Sequence, residues 1–170
     1  MTNHKNSHFH RRLQFFLLGL LLVMLWSLQI APANLFEIGS VRPVPTVVLT
    51  ICVGILYGET AGGVFGLFAG LLMDTYTTPT VAFHVVLLTA LGIFCGLAVK
   101  HLFMNNRFSW TVLWFVGSLL YFIFYWLLFK VILGNDGFSY LLYYSLPGAL
   151  YTGAWGIVLH PLVWSIRRWC

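Results

Sequence analysis

Acidic residues are scarce in this chain. Among its 170 residues there are only four, Glu37, Glu59, Asp74 and Asp136. Charged residues make up 8% of the chain and hydrophobic residues 60%, whereas a soluble domain is about 25% charged. Because so few charges could not cover a water-exposed surface, we predict an all-helical integral membrane protein of one domain. The shortage of carboxylates also excludes two-carboxylate hydrolysis and carboxylate-bound metal sites.

Sequence motifs for catalysis and cofactor binding are missing as well. The chain contains no Walker loop, no GxSxG element, no nucleophile with a matching base and no Rossmann fingerprint. The three cysteines, Cys52, Cys95 and Cys170, match neither a zinc motif nor a CxxC pair. We therefore predict that the protein is not an enzyme and that it uses neither a cofactor nor a metal.

The basic residues lie at the ends of apolar segments. In such places lysine and arginine set membrane orientation and contact anionic lipids, so we predict membrane lipids and not nucleic acid as partners. An alternative is a proton- or metal-coupled carrier that uses Asp74, Glu59, His84 and His160. The spacing of these four residues gives that alternative no support, because it contains no HExxH element.

Six apolar stretches alternate with polar or turn-forming segments. We predict a basic cytoplasmic tail at 1–12, one membrane domain at 13–166 and a basic cytoplasmic end at 167–170. The predicted spans are 13–30, 44–57, 61–73, 81–99, 110–129 and 140–163. The first of them resembles a signal peptide, but its apolar run exceeds the usual length of about 7–15 residues, which favours a retained span. Pro147 either kinks the last span or marks its start.

The number of spans depends on the stretch from Val44 to Met73. As one helix it would be about 45 Å long and would place Glu59 near the centre of the bilayer. As two short helices it gives six spans, with seven lysines and arginines inside and two outside. Five spans would leave four inside and five outside. The positive-inside rule therefore favours six spans with both termini in the cytoplasm.

Glycines recur every four residues through the third predicted span. Gly62, Gly66 and Gly70 share one broad helical face, and Gly58 is expected in the preceding turn. A shorter GxxxG pair in the fourth span consists of Gly92 and Gly96. Small residues at this spacing let helix backbones approach closely. The stripe is therefore predicted either to pack inside the bundle or to dock another membrane protein.

Two acidic residues border the glycine-rich span. Asp74 continues the four-residue spacing at its end and is expected to be solvated near the outer interface, with a buried polar anchor or a proton path as alternatives. Glu59 precedes the span and is expected to be a solvated acid in a cytoplasmic turn.

Two parts of the chain carry a family resemblance. One runs from Arg42-Pro43-Val44-Pro45 through the glycine stripe, with Gly70-Leu71-Leu72 leading to Asp74, and on to about residue 99. The other is the last stretch, from Leu146-Pro147-Gly148 through His160-Pro161-Leu162-Val163 to the closing arginines. Both are similar to the rod shape-determining protein MreD family, which has a proline-marked second span and a GxxxGxxxGLxxD-like third span. Pro45 is a departure, because an acid commonly follows the proline region in that family.

The resemblance implies a six-span bacterial inner-membrane protein without catalysis, with a fold like the S components of vitamin transporters. It also implies partners in lateral-wall synthesis: an MreC-like protein directly, and MreB, RodA and a penicillin-binding transpeptidase in the same complex. The function expected from the sequence is therefore a membrane scaffold of the cell-elongation machinery.

The alternative function is a substrate-binding S component of an energy-coupling-factor transporter. Size, span number and basic ends fit this alternative. The first span counts against it, because before Ser27 its only small residue is Gly19.

Overall fold

The chain folds into a bundle of helices. The computed structural model describes residues 3–30, 42–77, 82–101, 107–127, 143 and 145–169. These residues form six helices: α1 (Asn3–Ile30), α2 (Pro45–Tyr57), α3 (Glu59–Thr77), α4 (Phe83–His101), α5 (Arg107–Trp126) and α6 (Leu146–Trp169). The all-helical prediction is confirmed for the described residues. Glu37 and Asp136 lie outside them, as do parts of three predicted spans, at 81, 128–129, 140–142 and 144.

Four of the helices that the structure describes are long and apolar enough to cross a membrane. The qualifying segments are Arg12–Ile30, Phe83–His101, Ser109–Trp126 and Leu146–Arg168. Helix α2 is apolar but has only 13 residues. At ~1.5 Å per residue it is about 20 Å long, which is less than the ~30 Å hydrocarbon core of a bilayer. Helix α3 has 19 residues, and Glu59 and Asp74 lower its hydropathy.

Helix α2 lies at the centre of the bundle. All of its residues from Pro45 to Leu56 are buried. The other five helices surround it in the order α1, α3, α4, α5 and α6, and α6 packs against α1 to close the ring. A helix that is apolar on every side is stable only when it is enclosed. The almost uninterrupted apolar sequence of α2 therefore explains its central place.

Polar contacts hold the start of α2 to two of the surrounding helices. The backbone N–H of Val44 donates a hydrogen bond of 3.1 Å to the hydroxyl oxygen of Thr152 in α6. The hydroxyl of Thr46 donates a hydrogen bond of 3.0 Å to the side-chain carbonyl oxygen of Gln29 in α1. Thr46 and Thr152 are fully buried. Because a buried hydroxyl is costly without a partner, these bonds fix α2 against α1 and α6.

The chain reverses direction at Gly58, between α2 and α3. Gly58 has a φ of 91°, a conformation that glycine adopts far more readily than other residues. Across the turn, a Cβ built on Gly62 would lie 2.6 Å from the Cα of Gly54. In one continuous helix these residues would be about 12 Å apart. The stretch from 44 to 73 therefore contains two helices, and Gly58 belongs to the turn.

Two helix boundaries add detail to the predicted organisation. Helix α1 begins at Asn3, so residues 3–12, predicted as a polar tail, continue the first helix. Helix α6 begins at Leu146, which places Pro147 in its first turn, and the proline inside that helix is Pro161. Of the two alternatives for Pro147, the structure therefore has the start of the last helix and not a kink. Proline is tolerated in a first turn because its missing N–H would have no partner inside the helix there.

Candidate functional site

The glycine stripe of α3 lies directly against the backbone of α4. A Cβ on Gly66 would collide with the carbonyl oxygen of Leu88, and one on Gly70 with the Cα of Val85. A Cβ on Gly62 would come within 2.6 Å of the carbonyl oxygen of Gly92. All three obstacles are backbone atoms, which cannot rotate out of the way. The α3–α4 hairpin is therefore packed backbone to backbone over its length, a geometry that favours dispersion and Cα–H contacts.

The glycines of α4 complete this contact. A Cβ on Gly92 would meet the carbonyl oxygen of Gly62, and one on Gly96 would meet the backbone of Glu59. Gly54 of α2 joins them, because its Cβ would lie 2.6 Å from the carbonyl oxygen of Gly92. Three helices thus converge where only glycines fit. Sequence analysis identified the glycines of α3 and α4 but missed Gly54, although Gly54 lies four residues before Gly58 and continues the same spacing.

These contacts decide between the two alternatives for the stripe. Its face is covered by α4 within the same chain, so it packs the bundle internally and is not open to another membrane protein. The alternative in which this stripe docks another membrane protein is therefore replaced by packing within the bundle. The outward side of α3 carries large exposed apolar side chains instead, namely Val64, Leu67, Phe68 and Leu71.

Asp74 caps the start of α4. Its carboxylate accepts hydrogen bonds from the backbone N–H groups of His84, at 3.1 Å, and Val85, at 3.0 Å. The ring Nδ1 of His84 lies 2.7 Å from the same carboxylate. The Asp74 side chain is 14% exposed and that of His84 only 2%. The N–H groups of a first helical turn lack partners within the helix and favour a negative charge. The Asp74 carboxylate supplies both the hydrogen-bond acceptors and the charge at the start of α4. It is a half-buried polar anchor and not the solvated acid expected from the sequence.

Aromatic rings of α5 enclose the Asp74–His84 pair. The His84 ring centroid lies 6.0 Å from that of Tyr125 and 6.2 Å from that of Tyr121. Phe83 packs beside His84 at 5.4 Å and beside Tyr125 at 6.2 Å. This cluster joins the α3–α4 hairpin to α5. Sequence analysis assigned neither tyrosine to a site, and their spacing of four residues on one helical face was the available signal.

Glu59 forms an ion pair at the opposite end of the hairpin. Its carboxylate accepts a hydrogen bond of 2.9 Å from the Nζ of Lys100, in the last turn of α4. The Glu59 side chain is 30% exposed and that of Lys100 is 59% exposed. The hydrogen bond from Lys100 lowers the pKa of Glu59. Glu59 is therefore a paired acid, and both ends of the hairpin carry a polar contact between α3 and α4.

His160 lies in a separate aromatic cluster between α5 and α6. Its ring centroid is 4.6 Å from that of Trp110 and 5.1 Å from that of Trp114. The structure therefore unites Asp74 with His84 but places Glu59 and His160 elsewhere. Within the described ranges, no group of three or more histidine, cysteine, aspartate or glutamate residues is placed to hold a metal. The four residues of the carrier hypothesis do not form one site.

Glycines also shape the contact between α5 and α6, but in another way. A Cβ on Gly156 would lie 2.5 Å from the Trp114 ring, and one on Gly153 would lie 2.7 Å from the Phe115 ring. At these two positions of α6, the absence of a side chain leaves room for an aromatic ring of α5. Sequence analysis missed both of them, because their spacing of three lies outside the four-residue stripe.

Comparison with known proteins identifies one family. The family model of the rod shape-determining protein MreD matches residues 10–168, from the first turns of α1 to the end of α6. No curated protein and no solved structure matches the chain. The expected likeness to the S-component fold, and the alternative transporter function, are thus without support. Since the family match covers nearly the whole chain, the protein belongs to the rod shape-determining protein MreD family.

Proposed function

We propose that this protein is a non-catalytic membrane scaffold of the machinery that builds the lateral wall of rod-shaped bacteria. Membership of the MreD family implies a role in rod shape determination. The observation that carries the scaffold role is the α3–α4 hairpin. Its glycines, the Asp74 cap and the Glu59–Lys100 pair are all used to hold helices together.

The partners proposed for the scaffold follow from the family. An MreC-like protein binds directly, and MreB, RodA and a penicillin-binding transpeptidase belong to the same complex. Because α4 covers the glycine stripe, a direct partner contacts an outward surface of the bundle. The protein acts by holding these components together in the plane of the membrane, where they support peptidoglycan synthesis.

The proposed location is the bacterial inner membrane with both termini in the cytoplasm. Seven of the nine lysines and arginines fall on the cytoplasmic side in this arrangement. A membrane-impermeant thiol reagent applied to intact spheroplasts should label a Lys130→Cys variant and spare a Ser7→Cys variant, both built on a background without native cysteines. Labelling of Ser7→Cys would reverse the proposed orientation.

The scaffold function is tested by complementation together with co-purification. In a rod-shaped host that lacks its own MreD-type protein, the wild-type chain should restore rod shape and co-purify with the MreC-like protein. A Gly66→Leu variant should lose both properties, because its side chain has no room against α4. The matched control is Val64→Leu, which adds bulk at a position that is 59% exposed. Restored rod shape without stable association with any wall-elongation component would contradict the scaffold role.

A further inference from the structure

Helix α3 lies beside α4 at the same membrane depth, although its own apolar segment is short. Helix α4 is long and apolar enough to cross a membrane. The glycine stripe of α3 lies against the backbone of α4 from Gly62 to Gly70. Because the two helices are in contact over this length, a bilayer that surrounds α4 also surrounds α3. The apolar segment of α3, residues 61–73, is only about 20 Å long.

Ionisable groups close this segment at both ends. At one end, Glu59 accepts a hydrogen bond of 2.9 Å from Lys100, whose side chain is 59% exposed. At the other end, Asp74 accepts hydrogen bonds from the first turn of α4. The two acids are about 22 Å apart along the axis of α3. Hydrocarbon thicker than this distance would surround a charged group at one end, which is costly in a membrane.

The outward side of the hairpin is exposed, unlike α2, which is enclosed. We define the α3–α4 face as the exposed apolar surface from Val64 to Leu71 of α3 and from Val86 to Leu97 of α4. Along the helix axes it covers about 10 Å of α3 and about 16 Å of α4. The exposed apolar surface of α6, from Leu146 to Trp164, covers about 27 Å. Lipid therefore meets a narrower apolar band at the hairpin than at α6.

Tilting of the helices does not remove this mismatch. A tilted helix covers a smaller distance along the membrane normal, so tilt suits an apolar band that is too long and worsens one that is too short. Snorkelling is restricted at this face, because Lys100 is paired with Glu59. A short band that is fixed at both ends is accommodated by thinning of the bilayer around it.

We propose that the α3–α4 face thins the bilayer beside it and binds phospholipids with short acyl chains in preference to long-chain ones. Hydrocarbon of about 22 Å, instead of the usual ~30 Å, matches the distance between Glu59 and Asp74. The lipid is selected by chain length and not by its headgroup, because the exposed side chains of the face are apolar. This inference depends on residence in a membrane and is independent of the scaffold function.

The preference for short chains is tested by thermal unfolding of the full-length protein in vesicles of a single phosphatidylcholine. Three lipids that differ in acyl-chain length are compared, namely dimyristoleoyl, which is the shortest, dioleoyl, and dierucoyl, which is the longest. The unfolding midpoint should be highest in the shortest lipid and should fall with each increase in chain length. An optimum in either longer lipid, or equal midpoints in all three, would overturn the proposal.

The thinning is tested at the face itself with spin labels whose depth in dioleoyl vesicles is measured by electron paramagnetic resonance. Single cysteines replace Thr60 and Thr75, which are exposed and adjoin the two acids of α3, on a background without native cysteines. Both labels should lie at the depth of the headgroups, although they are only about 22 Å apart along the axis. A label within the hydrocarbon at either position would show that the bilayer is not thinned there and would overturn the proposal.

The matched control is a pair of exposed positions with the same spacing on α6, Leu150→Cys and Ser165→Cys. Because the apolar band of α6 extends beyond Leu150 to Leu146, the label at Leu150→Cys should lie within the hydrocarbon. Headgroup depth for both α6 labels would mean that the bilayer is thinned around the whole bundle, which would overturn the assignment to the α3–α4 face.

Discussion

The α3–α4 and α5–α6 contacts both depend on glycine, yet they differ in what faces the missing side chain. In the α3–α4 hairpin the obstacles are backbone atoms, such as the carbonyl oxygen of Leu88 opposite Gly66. Between α5 and α6 the obstacle is an aromatic ring, such as that of Phe115 opposite Gly153. An aromatic side chain can rotate or be replaced by a smaller one through mutation, whereas a helix backbone can only shift as a whole. The same residue type therefore marks a rigid contact in one region and an adjustable one in the other.

The largest effect is expected from Gly66→Ala. Its methyl group has no room against the Leu88 carbonyl, so α3 and α4 must separate, and we expect a loss of about 3 kcal/mol in the free energy of unfolding. Thermal unfolding in detergent measures the loss. Gly19→Ala in α1 is the control, because a Cβ there meets nothing within 4 Å. Equal stability of the two variants would show that the hairpin adapts to a methyl group.

A smaller loss is expected from Asp74→Ala. The substitution removes the acceptor for the N–H groups of His84 and Val85, and leaving such groups without partners costs about 1–3 kcal/mol. Asp74→Asn retains one side-chain oxygen and should recover part of this stability. Thermal unfolding of the three proteins in parallel should place Asp74→Asn between wild type and Asp74→Ala. An Asp74→Ala protein as stable as wild type would show that the cap contributes nothing.

Gly153→Ala should cost about 1 kcal/mol, because the Phe115 ring opposite it is only half-buried and can move. Adding Phe115→Ala should relieve the clash, so the two changes should be non-additive in a double-mutant cycle. The matching cycle in the hairpin, Gly66→Ala with Leu88→Ala, should show no relief, since the obstacle there is a backbone oxygen. Relief in both cycles would remove the distinction between the two contacts.

The smallest effect is expected from Glu59→Gln, since both members of the Glu59–Lys100 pair are partly exposed. Because the folded-state pKa of Glu59 is lowered from its ordinary value of 4.5, the pair stabilises the protein above that pH and ceases to do so as the pH falls through the lowered value. The midpoints of thermal unfolding of wild type and Glu59→Gln should therefore differ slightly at pH 7 and converge under strongly acidic conditions. A difference that grows on acidification would contradict this assignment.

The sequence was sufficient for much of the fold. Apolar runs located the helices, and the cost of placing Glu59 in mid-bilayer argued for two helices between residues 44 and 73, which the structure contains. The hydrogen-bonded environment of Asp74 could not be predicted from the sequence. Its partner His84 lies ten residues later, in the next helix, and which N–H groups a carboxylate reaches depends on how two helices are set against each other. Helical spacing alone does not specify that arrangement.

The glycines show the same limit. A four-residue repeat indicates that one face of α3 admits a close neighbour, but it does not say which helix takes that place. Gly54 continues the repeat into α2, whereas Gly153 and Gly156 lie outside it, and only the positions of these three glycines opposite Gly92, Phe115 and Trp114 show their role. The sequence of one helix determines which of its faces carries the glycines, whereas the helix that packs against that face is determined only in the assembled bundle.

The length of α2 has a consequence for how the protein enters the membrane. With 13 residues, α2 is too short to span the hydrocarbon core as an independent helix. Once assembled, the five surrounding helices separate it from lipid, so it need not match the thickness of the bilayer. During synthesis α2 is not yet enclosed, because four of the five surrounding helices follow it in the chain. Stable insertion of α2 must therefore be coupled to the arrival of later helices, beginning with α3 across the Gly58 turn.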